Sequence, residues 1–160
     1  MAAPRRVESS RSGAAYEADV AAWSLEQAAH LRARAWDRLD LAHLADEIEA
    51  LSRTEHHALT SALRVILLHL LKWDHQPQRR TRGWAISIKT QRLSVAERIE
   101  DSPSLAPLLP QFLARAYRRA RIEAAGETGL DESAFPVACP YSYETIMTRP
   151  IPWPPEPEAT

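Results

Sequence analysis

The chain has 160 residues, a mean hydropathy of −0.37 and 45% apolar residues, the make-up of a water-soluble fold with one domain's worth of core. Its 20 basic and 21 acidic residues exclude a uniformly basic nucleic-acid coat, and its single cysteine, Cys139, excludes an internal disulfide or a multi-thiolate zinc site. Four glycines against 27 alanines argue for helices and against a turn-rich β protein. Residues 1–13 carry no periodic apolar pattern and read as a disordered tail. Tyr16, Val20 and Trp23 fall at helical spacing and predict a short first helix, after which Ser24 and Gln27 form a Ser-x-x-Gln capping box that opens a second helix to about Ala35. Asp40 caps a long third helix with the stripe Leu41, Leu44, Ile48, Leu51, Glu55, Ala58, Ala62, Ile66, His69 and Trp73. The stripe turns polar from Ser52 to His57, a place for a bend. Pro77 ends that helix, and Gln76 to Gly83 is a basic loop. A fourth helix runs from Trp84 to about Asp101 with Trp84, Ile88, Leu93, Val95 and Ile99 as its apolar members. Ser104 opens a fifth, in which Pro110 delays or bends the start and Gly126 or Gly129 marks the stop. Phe135 to Pro140 reads as a loop and Tyr141 to Met147 as a short helix. Five prolines between 150 and 157 make the end extended and loose. The expected architecture is an all-α single-domain bundle of about five helices around one long central helix, spanning 14–148, with a Pro-rich tail over 149–160.

No apolar run approaches the roughly 20 residues of a membrane span, and no signal peptide can be built from Met1 to Gly13. A cytoplasmic protein with no membrane partner is expected. Three groups of residues are candidates for chemistry. His43 and Glu47 lie one helical turn apart amid Asp40, Asp46, Glu49 and Glu55, so they could share a metal ion; too few partners exist elsewhere for a di-metal bundle, and solvated or arginine-paired carboxylates are the plainer reading. Arg64 and His69 have the spacing of the arginine–histidine motif of HEPN-type helical ribonucleases, which that motif resembles. There His69 would be general acid or base and Arg64 would hold phosphate, without metal. The plainer reading makes His69 a core histidine. The third group is the cation-rich stretch Lys72, Arg79, Arg80, Arg82, Lys89 and Arg92 against the lone acid Asp74, with Trp73 and Trp84 beside it and Arg115, Arg118, Arg119 and Arg121 further on. Such a set suits phosphate contact and base stacking in RNA or single-stranded DNA, or ion pairs with the acidic helix. Glu47, His69 and Tyr117 are expected to be polar residues of the core, with Glu47 meeting Arg92 or Arg32 and His69 meeting a group such as Tyr117 on another helix.

Several blocks occur together and in order: Val20 to Gln27, Leu39 to Glu49, His69 to Trp73, Gln76-Pro77, Trp84, Gln91-Arg92, Ser102 to Leu105, Tyr117 and Cys139-Pro140. With these the chain resembles the bacterial domain-of-unknown-function family 29 over about residues 16 to 147. Asp46 stands where that family usually has a second glutamate. The resemblance implies a small helical protein of bacteria and brings no catalytic residue or cofactor. The functional expectation is a non-catalytic interaction module with a protein partner. The rival is a nucleic-acid-directed protein acting through Arg79 to Arg92, or through Arg64 and His69.

Overall fold

The computed structural model describes residues 16–154; the predicted tail over 1–13 and the last residues of the Pro-rich end lie outside them. Among the described residues the fold is all-α with no β-strand. Residues 16–18 are helical up to a break at Asp19, where the predicted short first helix ends early. The α-helices that follow are α1 (Val20–Arg32), α2 (Leu41–His75), α3 (Arg82–Asp101), α4 (Leu109–Thr128) and α5 (Tyr143–Thr148). Short 3-10 turns at Trp36–Arg38, Pro77–Arg79, Pro103–Leu108 and Glu132–Ala134 join them. The chain divides into two compact units, residues 1–53 and 54–160.

In the first unit the predicted boundary at Ser24 does not exist. Asp19 caps α1, its carboxylate accepting from Ala22 N at 2.9 Å, so Trp23 and Ser24 lie inside one helix. Ser24 Oγ instead donates to Ala21 O, and Gln27 is buried, accepting from Asp40 N at 2.8 Å. A carboxylate one turn earlier outcompetes the hydroxyl for the free N–H groups. Asp40 does open α2, accepting from His43 N. Helical backbone then continues through 52–57, where a bend was an option.

The second unit holds the core. From Leu59 to Trp73, α2 buries Leu59, Leu63, Ile66, Leu67, Leu70 and Leu71 completely, and such all-round burial marks a central helix. Around it α3 supplies Ala85, Ile88 and Val95, and α4 supplies Phe112, Ala116, Tyr117, Ala120 and Ala124. Leu93, expected to be an apolar member of α3, is exposed. Thr81 caps α3 by accepting from Trp84 N, which starts that helix two residues before Trp84. Pro103 and Pro107 hold a 3-10 turn, and Pro110 falls in the first turn of α4, where its missing N–H costs nothing. Gly126 continues α4; Gly129, at φ 73°, stops it. Residues 149–154 have no regular structure, yet Ile151 is buried, Arg82 Nε donates to Pro154 O and Lys89 Nζ lies 4.4 Å from the centre of the Trp153 ring.

Candidate functional site

In the first unit, Asp40 is the node. Its carboxylate accepts from Trp23 Nε1 at 3.3 Å and from His43 Nδ1 at 2.6 Å. The Tyr16 ring stacks on His43 with centroids 4.0 Å apart, and its hydroxyl donates to Glu47 Oε1 at 2.5 Å. That bond to a carboxylate pushes the Tyr16 hydroxyl pKa up. Glu47, expected in the core, is half-buried and meets a tyrosine, not Arg92 or Arg32, because Tyr16 stands beside it and donates to it. His43 and Glu47, the candidate metal pair, each hold a different protein partner. Among the described residues no three His, Cys, Asp or Glu side chains are grouped to hold a metal ion.

The adjoining face of the same helix is bare. Leu41, Ile48 and Leu51 are 68%, 65% and 69% exposed, and Leu44 is half-buried beside them. They were expected to be core. On an ideal helix this row lies roughly a quarter turn round from Asp40, His43 and Glu47, the face that meets α1 and Tyr16. Among the described residues of this unit only Trp23 and Gln27 are buried.

The second unit uses most of the other candidates internally. Arg64 pairs with Glu123. His69 is half-buried and its Nδ1 bonds to Val65 O at 2.8 Å, one turn back on its own helix, so no other helix supplies its partner. Burial pushes its pKa down, against that carbonyl and helped by the Lys72 charge. Tyr117 is buried, and its hydroxyl serves Pro136 O at 2.5 Å rather than His69. Lys72 is buried, bonded to Glu127 and 4.4 Å from the Trp84 ring centre. Arg80 donates to Trp73 O and lies over that indole. Arg92 donates to Ile146 O and Arg149 O at 2.7 and 2.8 Å, closing the end of α5. Arg79 is exposed with no ion pair among the described residues, and Arg115, Arg118 and Arg119 share that state on α4. The basic stretch is thus two sets: cations built into the bundle and cations facing water.

One cluster escaped the sequence reading. Asp74 accepts from both terminal nitrogens of Arg149, at 2.9 and 2.7 Å, and from Tyr141 Oη at 2.8 Å. Burial would raise the Asp74 pKa, but these bonds outweigh it and hold the carboxyl below its ordinary range. Burial and the same carboxylate push the Tyr141 hydroxyl far up. Only the fold brings residues 67 and 75 positions apart together, and no local spacing signals it. An open polar depression of about 300 Å³ lies along Glu55, Ser94, Glu97, Arg98 and Asp101, with Arg98 donating to Glu55 at 2.7 Å. Burial also raises the Cys139 pKa, which makes it a poor nucleophile.

No helix is long and apolar enough to cross a membrane among the described residues. No curated protein and no solved structure matches the chain. The family model described as "Domain of unknown function DUF29" matches residues 15–150, which hold α1 to α5 and all of the buried core but Ile151. The chain belongs to that family.

Proposed function

We propose that the chain is a non-catalytic interaction module that takes a protein partner on the Leu41, Leu44, Ile48, Leu51 row of α2. The observation that carries this reading is the exposure of that row in a unit with two buried side chains among its described residues. A helix is held mainly by burying an apolar face, and burying one Leu or Ile side chain stabilises by about 1.5–3 kcal/mol. Three such side chains left in water mark a surface that another polypeptide covers. A photo-crosslinking residue placed at Ile48 should form discrete protein adducts in a cell extract, and adding Leu51→Glu should abolish them. The same residue at Arg118 should not give those adducts. Absence of adducts at position 48, or turnover of a general substrate panel by the purified chain, sinks the reading.

A second reading, nucleic-acid binding, is favoured by one observation: Arg79, Arg115, Arg118 and Arg119 face water with no ion pair among the described residues. The last three lie on neighbouring turns of α4, spaced to follow phosphates. Retention of RNA or single-stranded DNA on filters at low salt, lost on replacing Arg115, Arg118 and Arg119 by alanine, is its test. If RNA is cleaved, His69→Ala decides whether Arg64 and His69 do it.

A further inference from the structure

We infer that the exposed face of α4 seats on the phosphate backbone of double-stranded DNA, whatever the base sequence; this rests on the nucleic-acid reading above and names its ligand. Arg115, Arg118 and Arg119 are exposed, with no hydrogen bond or ion pair among the described residues. The acids of the same helix are already engaged. Glu123 is bonded to Arg64 and Glu127 to Lys72, both on α2. Arg121, the fourth arginine of α4, is engaged too: it donates to Phe135 O, Glu132 O and Glu132 Oε1. Three guanidiniums are therefore left facing water, with no carboxylate bonded to them.

The form of the face narrows the ligand. Gln111, Arg115, Arg118 and Ile122 are all exposed and follow at intervals of four, three and four. On an ideal helix they make one ridge about 16 Å long, with Arg119 at its side. Ile122, 61% exposed, is the one large apolar side chain on it. A protein interface has an apolar centre and a lipid surface takes up an apolar face; one isoleucine supplies neither. Single strands are held largely by stacking their bases on aromatic rings. The aromatic residues of α4, Phe112 and Tyr117, are buried, and Trp73, Trp84 and Trp153 of the same unit each have a cation of the chain over the ring. A duplex keeps its bases stacked on one another and presents phosphates, which guanidiniums bind without reading sequence. Between duplexes, shape decides. The B-form major groove, about 12 Å wide, admits a helix, so an arginine ridge meets the phosphates at its edges. The A-form major groove is too narrow, and the shallow groove of RNA displays 2′-hydroxyls, for which the ridge has one amide, Gln111.

The experiment follows the anisotropy of a short fluorescent DNA duplex as the full chain is added. A duplex of unrelated sequence, one separated strand and the RNA duplex of the same sequence are titrated beside it. Both DNA duplexes should bind alike, with a Kd of about 1–100 μM at physiological salt. The strand and the RNA duplex should bind several-fold more weakly. With three phosphates neutralised, log affinity should fall with log salt at a slope of about −2.7. Arg118→Ala should flatten that slope by about 0.9, and alanine at all three arginines should abolish binding. Circular dichroism checks each variant, and glutamine replaces alanine wherever alanine unfolds the chain. Three results overturn the inference and leave the nucleic-acid reading standing: a strand or RNA duplex bound as tightly as DNA, a preference for one DNA sequence, or duplex binding that outlasts the loss of all three arginines. If no nucleic acid binds, or only phosphatidylserine vesicles do, both the inference and that reading fail.

Discussion

Asp74 shows how much one exposed-edge carboxylate can hold. Two arginine nitrogens and a tyrosine hydroxyl converge on it, and charged hydrogen bonds of this kind contribute more than neutral ones. Because its folded pKa lies below the unfolded value near 3.8, the stabilisation is present above that pH and is lost as pH falls through the folded value. Asp74→Asn should cost about 1–2 kcal/mol at neutral pH and should flatten the acid limb of a stability–pH curve followed by urea denaturation. His69 acts in the same sense at higher pH. Its folded pKa is depressed below 6.5, so the unfolded chain takes up the proton first, and stability falls as pH drops below that value. His69→Gln should remove that part of the slope between pH 7 and 5, measured the same way. Neither partner was readable from the sequence. For His69 the helical stripe gave the correct face, but its choice of the Val65 carbonyl over a neighbouring helix depends on ring geometry that spacing does not encode.

At the scale of elements, α4 offers a paired test with two glycines three residues apart. Gly126 is helical, exposed and has nothing within 4 Å of a built Cβ, so Gly126→Ala should stabilise by about 0.5–1 kcal/mol. Gly129 sits at φ 73°, where a Cβ is strained whatever the space, so Gly129→Ala should destabilise by about 1–2 kcal/mol. Thermal denaturation of the two variants should move in opposite directions. Proline and glycine punctuation made the ends of α2 and α4 legible: Pro77, Pro110 and Gly129 each do locally what their backbones dictate. Apolar periodicity located α2 along its whole length, yet it could not say which part of the stripe is covered by this chain. Ile66 and Ile48 obey the same pattern; one is fully buried and the other open. The pattern records an apolar face, and not whether this chain buries it. At Ser24 two capping candidates competed, and the cap went to Asp19, which the box motif had hidden.

For the molecule as a whole, burial is concentrated in one unit. The continuous apolar cluster begins at Leu59 and ends at Ile151, so the second unit carries the cooperative core. Amide hydrogen exchange should report this along a single helix: amides from Leu59 to Trp73 should exchange at least tenfold more slowly than those from Leu44 to Arg53. Equal protection across α2 in the isolated chain would mean that the exposed row is already covered. The residue contacts of the second unit also carry an order in time. Arg92 reaches carbonyls 54 and 57 residues downstream, and Asp74 reaches Arg149 across 75. A six-residue helix such as α5 does not persist alone, so it forms on a surface that α2 and α3 have already made. During synthesis these bonds wait until Arg149 has left the ribosome, and in refolding they should follow the local helices because the loops they close are long. The Asp74, Arg92 and Arg149 cluster is therefore a late latch: weakening it should speed unfolding and leave the refolding rate nearly unchanged.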